Sequence, residues 1–274
     1  MEIQVIVENT SDNNKVKGRH GLSLLITTNN TSLLYDFGPL NSLQQNAKYL
    51  GVQLHNVDIA VLSHNHIDHG GDINNFCLIN KKALIHVNTD LSEKLYTKIM
   101  SFLYFPVGIK LNSKYRNRIV VHNNSEKILD YIHLVKLSKY KNKSNLNKDL
   151  YIKKNGKYRN DDFQHESAIV IEEDQELFVL CACSHHGVSK ILEDVKHNFP
   201  NRKIKAFIGG FHMCNPVNKK NEKEEIIREE IEAIKKYDTN LYTGHCTGSF
   251  AFGLFTEELG NKVHKLSTGM RIEI

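Results

Sequence analysis

The chain has 274 residues, 40% hydrophobic and 24% charged, with 16 Gly against 4 Pro, which excludes a disordered, collagen-like or membrane chain. No window reaches the roughly 18 uninterrupted apolar residues of a membrane span, and Met1-Glu2-Ile3-Gln4-Val5 lacks a basic stretch followed by an apolar one, so a cytoplasmic location is expected. The formal charge of +5 is uneven, because residues 136–160 hold nine Lys or Arg against one acid, giving that stretch +8 and everything else −3.

Ile3-Gln4-Val5-Ile6-Val7 alternates as a strand does, and 22–28 with 32–37 read as two strands around an Asn29-Asn30 turn. Residues 41–50, with Leu43, Ala47 and Leu50 at helical spacing and Gly51 placed to end it, form the first helix. The apolar strand 57–62 runs straight into Ser63-His64. Next come a strand at 83–87, a helix over about 91–100 and strands near 118–121 and 132–137. A Lys/Asn-rich insert at about 136–162 follows, read as a solvated loop in preference to an anion-binding arm, since it has no Gly-rich or aromatic-stacking pattern.

Beyond the insert, 167–171 and 177–183 flank the turn Glu172-Glu173-Asp174-Gln175. Helix 188–197, strand 204–208, helix 222–236, strand 240–242, a helix at about 250–259 and a closing strand 270–274 complete the chain. Two similar half-patterns, with no Pro- or Gly-rich linker between them, suit two sheets packed face to face with helices outside, in one domain over 1–274.

Chemistry concentrates after strand 57–62, where His64, His66, Asp68 and His69 place three imidazoles and a carboxylate in six positions ahead of Gly70-Gly71. In extended chain His64 and His66 project from one side, and a turn at Asp68-His69 brings those side chains to the same cavity. Such a cluster can supply two divalent ions with nitrogen and oxygen ligands, as catalytic zinc sites do. Cys181, Cys183 and His185 alternate on one face at a strand end, which makes His185 a candidate third ligand for the first ion. His212, after Gly209-Gly210, and His20 are candidates to bind substrate or donate a proton, while Asp36 and Asp58 suit orienting or loop-capping roles. Five cysteines, Cys77, Cys181, Cys183, Cys214 and Cys246, are an odd number without disulfide spacing and agree with a reducing compartment. His55, His86, His122, His133, His186, His197 and His264 read as ordinary polar positions.

With His64, His66, Asp68 and His69 as the motif HxHxDH, and Tyr35-Asp36-Phe37-Gly38 as an Asp-x-Gly strand end, the sequence resembles the metallo-β-lactamase superfamily. More narrowly, His20-Gly21-Leu22-Ser23, Cys183-Ser184-His185, Gly209-Gly210-Phe211-His212 and Gly244-His245-Cys246-Thr247-Gly248 are similar to the subgroup named for dihydropterin ribofuranosylaminobenzene phosphate synthase. The resemblance implies a four-layer αβ/βα sandwich and metal ligands His64, His66, Asp68, His69, His185 and His245, with His245 completing the second ion. Cys183 stands where many members have a bridging Asp, so that either the second ion is held more weakly or a thiolate takes the carboxylate's place and favours a softer ion such as Zn²⁺. Gln164-His165-Glu166 stands near a histidine that opens the second hairpin in many members, its register open.

Two divalent ions, Zn first and Mn or Fe next, lower the pKa of a shared water and polarise a phosphoryl or carbonyl oxygen, so hydrolysis of a small anionic phosphate or ester is expected. Asp68 is the expected proton acceptor and His212 the spare acid; His20, Asp36, Cys183 and Cys246 are expected around the ligands or substrate. The insert lysines or Phe102-Leu103-Tyr104-Phe105-Pro106 are candidates for a selecting lid. The alternatives are a synthase-type transferase and a nuclease of the same fold that draws on the basic insert. No membrane partner is expected, and a homo-oligomer is left open.

Overall fold

The computed structural model describes residues 1–12, 14–28, 31–100, 102–139 and 144–273. Its first half, joined by the last strand of the chain, forms a seven-stranded sheet in the order β18 (Arg271–Glu273), β1 (Glu2–Val7), β2 (Ser23–Thr27), β3 (Ser32–Tyr35), β4 (Ile59–Val61), β5 (Leu84–Val87), β8 (Ile119–Val121). The second half repeats the plan as β17 (Val263–Lys265), β16 (Asn240–Thr243), β15 (Lys203–Ile208), β14 (Glu176–Leu180), β13 (Ser167–Glu173), β10 (Ile132–Lys136), β9 (Glu126–Leu129). In each sheet the hairpin strands pair antiparallel and the strands that follow them pair parallel, as for β3 with β4 and for β14 with β15, while β18 returns antiparallel onto β1. Parallel partners need a crossover, and the segments between them supply it. Asp174 and Gln175, both at positive φ, make the tight turn of the second hairpin.

The helices are α1 (Leu43–Leu50), the single turn α2 (Ile67–Gly70), α3 (Ile73–Ile79), α4 (Val188–Asn198), α5 (Glu224–Lys235) and α6 (Gly248–Leu259). Both faces of each sheet are apolar because each is covered. Ile3, Val5 and Ile26 meet Ile169, Ile171 and Leu180 between the sheets. Ile6, Leu34 and Ile85 cluster with Leu43 and Phe76 of α1 and α3, while Val170, Val179 and Phe207 cluster with Ile191, Ile227 and Phe255 of α4, α5 and α6. The result is the expected four layers. Gly51 ends α1 in the left-handed conformation (φ 73°) with its N–H on the carbonyls of Ala47 and Lys48, as its placement in the sequence implies. Among the described residues no helix is long and apolar enough to cross a membrane.

Two expectations need correction. Residues 91–100 do not form a helix, and the basic insert is not simply a loop: β6 (Leu95–Ile99), β7 (Leu103–Pro106), β11 (Leu150–Lys154) and β12 (Lys157–Asn160) make a third, antiparallel sheet in the order β12-β11-β6-β7. Leu91, Leu95 and Ile99 sit at helical spacing, but pairing decides the outcome, with Leu95 opposite Ile152 and Tyr96 opposite Tyr151. An aromatic pattern exists after all, assembled across strands: Tyr104 stacks on Tyr158, and Tyr96 and Tyr151 meet that pair edge-on. Glu222 fixes the insert to the start of α5 by accepting from Ser144 Oγ (2.8 Å), Asn145 N (2.7 Å) and Asn145 Nδ2 (3.0 Å). The Asn29-Asn30 turn, residues 140–143 of the insert and the last residue of the closing strand lie outside the described residues.

Candidate metal centre

Each catalytic candidate sits where a strand ends and the chain turns. At the end of β3, Asp36 adopts a left-handed conformation (φ 61°) and is fully buried. Its Oδ1 accepts from Ser63 N (2.7 Å), and its Oδ2 accepts from Ser63 Oγ (2.8 Å) and His69 Nδ1 (2.7 Å). Since Ser63 Oγ spends its proton on Asp36, it can only accept from His64 Nδ1 at 2.7 Å. Both rings therefore carry their proton on Nδ1 and present a bare Nε2.

Two asparagines orient the histidines of the second half in one shared way. Asn147 donates Nδ2 to the carbonyl of His185 (2.9 Å) and turns Oδ1 to His185 Nδ1 (3.2 Å). Asn9 donates Nδ2 to the carbonyl of His245 (2.9 Å) and turns Oδ1 to His245 Nδ1 (3.0 Å). Because the amide NH₂ is committed to the backbone oxygen, the amide oxygen must face the ring, which again leaves Nε2 bare. Such partners behind a ligating histidine fix its tautomer and raise its basicity.

The bare atoms converge. His69 Nε2 lies 3.1 Å from His245 Nε2, 3.2 Å from Cys183 Sγ and 3.5 Å from Asp68 Oδ2. Asp68 Oδ2 is also 3.3 Å from His245 Nε2 and 3.3 Å from His20 Nε2. The donor atoms of His64, Cys183 and His185 lie within 4.8 Å of one another, so Cys183 belongs to both groups. His66 stands beside them, its ring centroid 4.7 Å from that of His64 and 5.1 Å from that of His185. The Nε2 atoms of His64 and His66 are buried without a hydrogen-bond partner among the described residues. Acceptors gathered this closely with few protons between them fit a cation. His64, His66 and His185 could hold one ion, and Asp68, His69 and His245 a second, with Cys183 between.

Electrostatics favour the neutral rings a metal needs at His64, His66 and His185 but not at His69. Burial, with His69 and His66 nearby, pushes His64 well down, and burial with His165 nearby takes His66 to about 4. Burial, then His212, holds His185 well below the usual range. Burial also disfavours charge on His69, but Asp68 and Asp36 outweigh it and push this ring up to about 10, so without a cation a proton takes its place.

Around the ligands, His212 (φ 50°) has both ring nitrogens buried, lies beside the Cys246 thiol, and has its centroid 4.2 Å from that of His185. Its backbone N–H reaches Cys246 Sγ at 3.3 Å. His20 stacks on His245 with centroids 4.6 Å apart. Asp58 stays away from the site, accepting from Ser32 N and Lys82 Nζ. The alternating face ends with β14, and Cys181 is buried in the core on the helix side, leaving Cys183 and His185 at the site.

Several partners were not anticipated. Asn9 and Asn147 are among them, and Asn147 comes from the insert. Glu166 accepts from the backbone N–H groups of His185 (2.9 Å) and His186 (3.1 Å) and pairs with His186 Nδ1 (2.7 Å), so His186 is a buried partner and not an ordinary polar position. His165 accepts from Asn65 N (3.3 Å) through Nδ1 and pairs with Asp161 Oδ2 (3.0 Å) through Nε2, which holds the loop carrying His66 from behind. The only sequence signal for these was Gln164-His165-Glu166, whose register the fold now fixes.

The family model of the metallo-beta-lactamase superfamily matches residues 16–191. A curated relative, 7,8-dihydropterin-6-methyl-4-(beta-D-ribofuranosyl)-aminobenzene-5'-phosphate synthase of Methanocaldococcus jannaschii, is 28% identical over 93% of this chain and 90% of its own. Among solved structures, Tm1679, a metal-dependent hydrolase of the beta-lactamase superfamily, overlays with a TM-score of 0.81 at 24% identity, covering 100% of this chain and 99% of that one. Human tRNase Z, short form, overlays at 0.55 and 11% identity over 100% and 99% of the two chains, which shows a common fold. With well over half of the chain under one family model, the chain belongs to the metallo-beta-lactamase superfamily.

Proposed function

We propose that this protein is a metal-dependent hydrolase of a small anionic ester. The observation that supports this reading is the convergence of His64, His69, His185 and His245, each with Nδ1 tied to an acceptor behind it, on Asp68 and Cys183 at the floor of one cavity. Divalent ions held by such a set supply hydroxide at neutral pH and polarise the bond under attack.

The chain's own residues do the rest. Asp68 Oδ2 faces the cavity and touches His20 at 3.3 Å, so it is placed to take a proton that His20, on the solvent side, carries away. His212 lines the same cavity with its ring beside Cys246 and can hold a proton for the departing group. Ser63 and Asp36 keep His64 and His69 from turning, and Asn147 and Asn9 do so for His185 and His245.

The synthase relative supports a second reading, a transferase that joins a pterin to an aminobenzene ribofuranosyl phosphate. One experiment separates the two. Metal content is measured on protein purified without added metal, with His69→Ala as control, and the loaded protein is assayed on phosphodiesters and lactones and, separately, on the pterin and aminobenzene precursors. Ester hydrolysis lost with the metal in His69→Ala supports the hydrolase. Condensed product by mass spectrometry, with no ester hydrolysed, overturns it in favour of the transferase.

A further inference from the structure

The cavity over the candidate metal ligands has a volume of about 350 Å³, within the range of small-ligand sites. Its floor is polar, but Thr97, Val107 and Leu150 form one wall, and Pro216 and Val217 of the loop that follows β15 line the same cavity. Strand register extends the first wall. Thr97 pairs with both Phe105 and Leu150, and Ile99 pairs with Leu103, so all five side chains share one face of the third sheet. Deeper on that face, Leu95 and Ile152 are buried at 1% and 4% exposure, whereas Leu103 and Phe105 stand 43% and 44% exposed and Val217, which lines the same cavity, 62%. Apolar side chains left this open beside a polar floor mark a surface meant to be covered by a ligand. The charged groups along this cavity away from the floor are Lys219 and Asp149.

We propose that the substrate is amphiphilic: its anionic ester reaches the histidine floor while an aromatic or branched apolar group lies between Phe105 and Leu103 of the β6–β7 ribbon and Val217 of the loop that follows β15. This rests on the hydrolase reading and gives it a substrate class. The third sheet, built partly from the basic insert, then acts as a specificity wall. The apolar side chains of its β6–β7 ribbon, not the cations Lys154, Lys157 and Arg159 that β11 and β12 carry on the same face, select what is cleaved.

The test is a matched pair of diesters, phenyl p-nitrophenyl phosphate and methyl p-nitrophenyl phosphate, which share the leaving group and differ only in the apolar substituent. The wild type should favour the phenyl ester in kcat/KM by about tenfold or more, as an apolar pocket of this kind discriminates. In Phe105→Ser/Val217→Ser the ratio should fall towards one. Hydrolysis of both esters without preference, or a preference unchanged in the double variant, overturns the amphiphilic substrate and leaves the hydrolase standing. If neither ester is cleaved, the hydrolase reading is decided by the assay above, and calorimetry with phenylphosphonate and methylphosphonate decides the wall: about tenfold tighter phenylphosphonate binding, lost in the double variant, supports it, and equal affinities overturn it.

Discussion

A histidine is ambiguous as a ligand until something fixes which nitrogen bears the proton, and here four separate acceptors do so. Ser63 and Asp36 act from within a few residues of the ligand motif or at the neighbouring strand end, but Asn147 acts on His185 from 38 residues away and Asn9 on His245 from 236. The contiguous cluster of His64, His66, Asp68 and His69 was therefore legible in the sequence, since one strand exit carries all four. The asparagines were not, because no spacing relates them to their histidines before folding. Asn147→Ala removes both the backbone grip and the ring acceptor at His185. Metal affinity should fall by about 10- to 100-fold with the fold retained, read by competition against a chromophoric chelator. Wild-type affinity in that variant would show that His185 needs no orienting partner or binds no metal.

At the scale of elements, the third sheet was the least legible part. The window 91–100 satisfies a helical and a strand periodicity at once, and its partner strand β11 lies some fifty residues on, inside a segment whose charge suggested solvation. Long-range pairing outweighs local spacing in such cases. The two halves with their hairpins and strand-helix units were readable because each signal there is local. The insert's ordering hangs on Glu222. Burial opposes its charge, yet hydrogen bonds from Asn145, Lys223 and Ser144 outweigh it and hold the carboxyl below its ordinary value. A carboxyl depressed in the folded state contributes its stability in full above the unfolded value of about 4.3 and loses it as pH falls through the folded one. Hydrogen exchange at 144–149 should therefore be slow at pH 7 and accelerate below about pH 4 relative to the core strands. Glu222→Gln should show the fast exchange at pH 7 and lose the pH dependence. Slow, pH-independent exchange in both proteins would mean that the sheet pairing of β11 with β6 holds the insert by itself.

For the molecule as a whole, the candidate ligands are divided between its halves. His64, His66, Asp68 and His69 follow β4 in one sheet, while Cys183 and His185 follow β14 and His245 follows β16 in the other. The sheets are joined between these points by the core of Ile3, Val5, Ile169 and Leu180 and by the return of β18 onto β1. An ion held by ligands from both halves is thus a cross-link at the open end of the sandwich, and one that the unfolded chain cannot form with the same geometry. Binding confined to the folded state adds RT ln(1 + [L]/Kd), about 2.7 kcal/mol when free metal is 100 times Kd. For a chain of this size that corresponds to a rise in Tm of roughly 5–10 °C. Calorimetric melting with excess Zn²⁺ should exceed melting in a chelator by about that amount. If the ions bridge, His69→Ala in the first half and His245→Ala in the second should each remove most of the shift contributed by the ion they share, because either loss opens the same cross-link. A shift that survives in both variants would place the stabilising ion elsewhere, and the absence of any shift in the wild type would show that the two sheets close without help from metal.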